Sequence, residues 1–354
     1  MSDAQVIVTH FCIPEHVTRV SVLGEGFIND TFLVETASPQ KYILQRKNRS
    51  VFHDIPGMMA NIDKVTRHIR SKGAVTLTLV PGKNEDLYYI DNEGEYWTCC
   101  TCIPDTYTYE QASDKEMIRS GGEGIGMFHS QMADFRGTLT TTLPGFHNIR
   151  YRFRQFSDSA KANRAGRLTE VASLVKEIYS RQENMNSFYK LIAEGIIPER
   201  VSHNDTKLSN FLFDAQKKVV CAIDLDTVMQ TTVLYDFGDA VRSYANAFAE
   251  DHPVSSRVVM DPDRFYAFSE GYASRAAWFL NDTEKTHLAY SALYITYEQF
   301  LRFLMDYIDG DTYYRIRYPT HNLVRAQAQL ALLKSMEDMY PQMQQHLKTI
   351  FKTL

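Results

Sequence analysis

Two short apolar segments, Phe211-Leu212-Phe213 and Val219-Val220-Cys221-Ala222-Ile223, flank the polar turn Asp214 to Lys218. They follow a loop rich in polar side chains, His203 to Asn210, which is itself preceded by Val201-Ser202. Apolar runs separated by a short polar turn pair as an antiparallel hairpin. Such a hairpin carries Asp205 and Asn210 on its entry and Asp224 on its exit, so the three converge on one point. A carboxylate that can take a proton, beside an amide and a second carboxylate that can hold a hard cation, suits metal-assisted phosphoryl transfer.

The chain around this hairpin has 354 residues, too many for one small core, so two lobes are expected. A 44% apolar content argues against disorder, and the net charge of −5 gives no general pull toward nucleic acid or anionic membrane. No run of 18 apolar residues marks a membrane span, and Met1 to Gln5 lacks the basic start of a signal peptide. Five cysteines in a chain of this length make no disulfide framework, so free thiols and a cytoplasmic location are expected.

Before Pro104 the pattern is mostly that of strands: Val20–Leu23, Thr31–Thr36, Lys41–Arg46, Val75–Val80, Leu87–Ile90 and Glu95–Ile103. One helix interrupts them, Pro56 to Arg70, with Met59, Ile62, Val65 and Ile69 on a single face. Gly24 and Gly26 let the backbone between the first two strands approach a ligand, although two glycines equally suit a plain turn. Cys99, Cys100 and Cys102 lack a second zinc-spaced group and read as small strand residues. After Pro104 helices dominate: Ser113–Phe135, Thr169–Gly195, Phe265–Ala277, Glu284–Ile308 and Leu323–Phe351. Gly121, Gly122, Gly124 and Gly126 in the first of these suit close helix packing, and the basic stretch 137–167 reads as loop. The fold class is therefore α+β, with a β-rich lobe over 1–103 and a mainly helical lobe over 104–354.

The pattern His203-x-Asp205-x-Lys207-x-x-Asn210, followed by Asp224 at the end of the next strand, resembles the catalytic loop and metal-binding step of the aminoglycoside phosphotransferase and choline kinase family. Within that family, Gly26 to Val34, Tyr42 to Gln45, His203 to Leu208, Ile223 to Thr227 and Tyr318 to Arg325 resemble the bacterial N-acetylhexosamine 1-kinases. The resemblance implies a bilobal protein-kinase-like fold, ATP as co-substrate, Mg²⁺, and phosphorylation of the anomeric hydroxyl of GlcNAc or GalNAc. Asp205 would be the base, Lys207 would neutralise γ-phosphate charge, and Asn210 and Asp224 would hold the metal. Gly24 and Gly26 would cover the phosphates, and the backbone from Cys100 to Ile103 would read the adenine edge. Gln45 stands where most relatives carry a basic residue, with Arg46 or Lys47 as substitutes; strand alternation turns Arg46 away. Asn29, Arg302 and Tyr313 match positions on the sugar side. Asp226 reads as a supporting acid or a surface residue, and His203 as support for the loop. Asp236-Phe237-Gly238 imitates the metal signature of protein kinases, but Asp224 already fills that place, so Asp236 is expected to brace the catalytic loop.

Glu298 and Arg302 lie one helical turn apart in an aromatic helix, as either an internal brace or a ligand site. Kinases of other small alcohols (aminoglycoside, choline or homoserine) are the alternative within enzymes, and a non-catalytic scaffold is the alternative outside them. An intact Asp205, Asn210 and Asp224 speaks against the scaffold.

Overall fold

Strand β1 (Val17–Val22), β2 (Asp30–Thr36) and β3 (Lys41–Lys47) form an antiparallel meander. β6 (Tyr96–Thr101) then adds to β3, with Ile43 opposite Cys100 and Gln45 opposite Thr98. The computed structural model describes residues 3–24, 28–248 and 250–354. Alternation along β3 sends Tyr42 and Leu44 into a core with Val34, Trp97 and Cys99, covered by Ala4, Ile7 and Val8 from the N-terminal helix α1 (Asp3–Ile7) and the turn after it. Ile43, Gln45 and Lys47 therefore share the opposite face, which is the one turned toward the hairpin.

The expected strands at 75–80 and 87–90 shrink to β4 (Leu79–Val80) and β5 (Tyr89–Ile90). Both compete for the same edge of β6: β4 takes Cys99 and Cys100, while β5 takes Tyr96 and Trp97. Neither has more of the edge to pair with.

Helix α2 (Ile55–Ser71) starts at Asp54, whose carboxylate accepts from the Gly57 amide, with Pro56 in its first turn. Its buried face (Met58, Met59, Ile62, Val65 and Ile69) belongs to the same apolar cluster as the helices that follow residue 115. Those are α3 (Lys115–Met132), α4 (Ile149–Ala162), α5 (Ala172–Ala193), α6 (Val233–Tyr244), α7 (Pro262–Ala276), α8 (Asp282–Asp309) and α9 (His321–Thr353). The glycines of α3 do pack helices: a Cβ on Gly122 would lie 2.2 Å from the Phe268 carbonyl oxygen of α7. Two corrections fall in this half. Residues 149–162 are helical rather than loop, because Asn148 caps the Tyr151 amide and Ile149, Phe153 and Phe156 are buried on one face. Helix α5 begins at Ala172, past Thr169, with no side-chain cap, and it ends as expected at Gly195, whose φ is +70°.

Between α5 and α6 lie four short strands: β7 (Arg200–Ser202), β8 (Phe211–Phe213), β9 (Val219–Ala222) and β10 (Met229–Thr231). β8 and β9 form the expected hairpin, whereas β7 pairs with β10. The loop 203–210 is thus clamped between two small ladders. No helix among the described residues is long and apolar enough to cross a membrane.

Candidate active site

The loop leaves β7 through Asn204, which takes a left-handed φ of 66°. Every polar group of Asn204 is engaged. Its side-chain nitrogen donates to the Ser202 and Thr227 carbonyls, its Oδ1 accepts from Thr231 Oγ1, and its carbonyl meets His147 Nε2 at 3.3 Å. From the first turns of α6, Asp236 accepts from the His203 amide at 2.7 Å and the Asn204 amide at 2.6 Å, and Asp239 accepts from the Thr206 amide at 3.0 Å. His129 of α3 closes on Asp236 from behind at 2.7 Å. Asp236-Phe237-Gly238 is accordingly a buried helical brace, as its sequence context implied. His203 supports the loop: its Nε2 bonds the Ile223 carbonyl at 2.8 Å, and its Nδ1 accepts from the Asp205 amide.

This fixed backbone presents Asp205 half-buried. Its Oδ2 accepts from Asn210 Nδ2 at 2.8 Å and lies 3.4 Å from Lys207 Nζ. Burial pushes the Asp205 carboxyl up, but Lys207, His203 and the Asn210 amide outweigh it and hold the group below the usual carboxylate range. Lys207 is correspondingly raised, chiefly by Asp205. Asp224 sits at the end of β9 with a φ of 55°. Its carboxylate bonds to no described residue, and burial followed by the charge of Asp226 raises its pKa. Asn210 spends its amide nitrogen on Asp205, which leaves Oδ1 free. An oxygen from an amide and an oxygen from an unpartnered carboxylate fit a hard divalent cation completed by phosphate and water.

Lys47 reaches this corner from the sheet. It is 2% exposed, stands 2.7 Å from both Asp226 oxygens, and also donates to Gln45 Oε1 at 2.8 Å. Asp226 is therefore a buried partner and not a surface residue. Gln45, expected to meet phosphate, has its amide held between Thr31 and Lys47, so the charge on this face of β3 is that of Lys47. Arg46 points the other way, onto Asp30. Strand alternation already put Lys47 beside Gln45; only its partner was invisible. Asn29, expected on the sugar side, is drawn into the same cluster: its nitrogen donates to Asp226 at 2.8 Å and its oxygen accepts from the Asn48 amide at 3.0 Å. Replacing Lys47 by methionine strands Asp226 as a buried unpaired charge and should cost about 3 kcal/mol. Adding Asp226→Asn should recover most of that loss in a denaturation double-mutant cycle; simple additivity of the two changes would refute the pairing.

Gly24 has a φ of +69° and open space around it, while Gly26 lies outside the described residues. In the strip expected against adenine, burial pushes the Cys100 thiol up to about 12, the Cys102 amide is taken by the Lys41 carbonyl, and the Ile103 amide donates to no described residue.

On the other side of the loop, α8 carries Glu298 and Arg302. Glu298 is 1% exposed and is bound by His147 Nδ1 at 2.9 Å, with Arg152 Nε at 3.5 Å. Burial pushes the Glu298 carboxyl up, yet His147 and the two arginines Arg152 and Arg302 bring it below its usual value. Arg302 makes no ion pair among the described residues. Its guanidinium lies within 6 Å of the rings of Phe146, Tyr313 and Tyr314 and donates to Gln299 Oε1 at 3.3 Å. Glu298 and Arg302 are thus not a pair with each other. His147 and Arg152 fall in the stretch read as loop; Arg152 belongs to its basic run, while no pattern in the sequence pointed to His147. His147 links this wall to the catalytic loop, since its two nitrogens bridge Glu298 and the Asn204 carbonyl.

A profile of the phosphotransferase enzyme family matches residues 19–278. The structure is similar to an aminoglycoside phosphotransferase from Alicyclobacillus acidocaldarius, with a TM-score of 0.64 at 12% identity over 98% of this chain and 96% of the other. It is also similar to a microcompartment-associated aminopropanol kinase, with a TM-score of 0.61 at 18% identity over 96% and 98%. A choline kinase from Streptococcus pneumoniae matches with a TM-score of 0.52 at 13% identity over 91% and 94%. At these identities the likeness is one of fold.

Proposed function

Because the chain belongs to the phosphotransferase enzyme family, we propose that it transfers the γ-phosphoryl group of ATP to the anomeric hydroxyl of an N-acetylhexosamine. The observation that carries the kinase reading is the meeting of an ionised Asp205 with the free Asn210 oxygen and the unpartnered Asp224 carboxylate at one end of the β8–β9 hairpin. Asp205 aligns the acceptor hydroxyl and receives its proton as the new P–O bond forms. Asn210 and Asp224 would hold Mg²⁺, which when bound supplies charge to the phosphate oxygens. Lys207 faces the transferred phosphoryl group, and Lys47 brings to the sheet side the positive charge that Gln45 lacks. Gly24 would stand on the phosphate side, and the adenine edge would meet the free Ile103 amide.

The choice of acceptor rests on the wall around α8. Its acid, Glu298, is buried with His147 Nδ1 on one oxygen and Arg152 Nε 3.5 Å from the other, while Arg302 hydrogen-bonds a neutral partner. A cationic acceptor such as choline or an aminoglycoside would meet a guanidinium there, with the Glu298 carboxylate buried behind it. A neutral sugar finds a hydrogen-bond donor and, in the half-exposed ring of Tyr313, a surface to lie against. Arg302→Ala should therefore raise the acceptor KM about tenfold or more, the worth of one charged hydrogen bond, and leave the ATP KM in place. Equal rises in both constants would return Arg302 to a structural role.

The direct test is a panel of GlcNAc, GalNAc, choline and kanamycin with ATP and Mg²⁺, with the product read by phosphorus NMR. Phosphate on O1 of the amino sugars is expected. Turnover of choline or kanamycin in preference to the sugars, or phosphate on O6, would overturn the assignment.

A further inference from the structure

The C-terminal end of α8 holds a buried carboxylate that the reaction does not use. Asp306 lies one turn beyond Arg302 on the same side of the helix and is 4% exposed. No cation pairs with it among the described residues. Three backbone amides meet its charge: Oδ1 accepts from the amides of Thr312 at 2.9 Å and Tyr313 at 2.8 Å, and Oδ2 accepts from the Tyr314 amide at 3.0 Å, with the Thr312 hydroxyl 3.4 Å from Oδ1. Asn322 of α9 adds a side-chain donor to Oδ2 at 2.8 Å and with the same nitrogen reaches Asp311 at 2.9 Å.

Three consecutive amides can converge on one carboxylate only if the chain turns sharply before them. Gly310 and Asp311, with φ of 94° and 61°, make that turn. Arg167 pins it from outside by donating to Asp311 at 2.5 Å and to the Tyr307 carbonyl at 3.0 Å. The segment held in this way carries Tyr313 and Tyr314, the two rings that flank the Arg302 guanidinium. Tyr313 is 52% exposed, and its ring meets only the edge of Tyr314 at 4.8 Å and the Arg302 guanidinium at 5.8 Å among the ring contacts of the described residues.

We infer that Asp306 is a positioning residue for the acceptor, a buried anion that organises residues 312–314 so that Tyr313 and Tyr314 stand against Arg302 as a preformed wall. The inference rests on the acceptor-side reading of Arg302 given above. Asp306 touches no substrate; it acts through the loop. Ionised carboxylates bind amide donors roughly twice as strongly as neutral acceptors do, so one side chain fixes the backbone of all three residues, of which only Tyr314 packs on the core. An asparagine has the same shape but turns an NH₂ group toward amides that need an acceptor.

The test is Asp306→Asn in the full chain, with two readouts. Hydrogen exchange at the Thr312, Tyr313 and Tyr314 amides should accelerate by about 100-fold, with α8 amides upstream of Arg302 unchanged. The acceptor KM should rise by about 10- to 100-fold while the ATP KM stays in place, as expected when a binding group is misplaced but the nucleotide side is intact. Unchanged exchange at the three amides overturns the inference, and so does a parallel rise in both KM values. If the wild-type protein phosphorylates no member of the sugar panel, the proposed reaction fails, and the exchange measurement alone still decides whether Asp306 holds the loop. Should Asp306→Asn not fold, Arg167→Gln loosens the same turn from its solvent side and should shift both readouts in the same direction by a smaller factor; no shift in either defeats the inference.

Discussion

Asp205→Asn should lower kcat by about 10³-fold, within the 10²- to 10⁴-fold range of a positioned proton acceptor. The substitution is chosen because it keeps the shape of the side chain. Asn210 still finds an oxygen to donate to, and the loop backbone is held by Asp236, Asp239 and His147, none of which Asp205 touches. Thermal stability and nucleotide affinity are therefore expected to stay close to wild type, and the loss should fall on kcat with little change in either KM. The asparagine can neither take the proton nor orient a hydroxyl through an anionic oxygen. A variant that keeps more than about a tenth of wild-type kcat would remove Asp205 from the chemistry.

Asp236→Ala should have its main effect on stability, at about 5 kcal/mol, the upper end for breaking a buried, hydrogen-bonded charge. The carboxylate is fully buried and has three donors: two successive amides of the catalytic loop and the ring of His129. Removing it leaves all three unsatisfied in a site that water does not reach. Most of the ordinary margin of a folded protein is about this size, so much of the variant should be unfolded at 37 °C. Asp236→Asn keeps one acceptor and should show an intermediate loss. Denaturant unfolding measures both, and any folded fraction should also turn over slowly, because the Asn204 turn that aims Asp205 is no longer held. A stable Asp236→Ala protein with selectively weakened metal binding would instead place Asp236 among the cation ligands.

The two predictions differ because the two aspartates were legible to different degrees. Asp205, Asn210 and Asp224 could be read from the sequence because one hairpin carries them all; apolar runs and a polar turn are local signals, and pairing the runs fixes what their ends approach. Most of the strands before residue 104 and the helices at 115–132, 172–193 and 262–353 were legible for the same reason, as were the packing glycines of α3 and the C-terminal stop at Gly195, whereas β10 and α6 were not read at all. Legibility failed where neighbours competed or a local pattern was obscured. β4 and β5 were overestimated because two segments share one edge of β6, and α4 was missed because its basic run concealed the 149, 153, 156 spacing.

By itself, then, the sequence determined the α+β class, the hairpin and the set of chemical groups at its end. The tertiary structure decided which of those groups are held and by what. Lys47 and Asp226 are 179 residues apart, His147 and Glu298 are 151 apart, and Asp236 meets His129 across 107. No periodicity encodes such pairs. Each is selected because a buried charge must find a partner once folding has removed water, and which partner lies within reach is a property of how the elements pack.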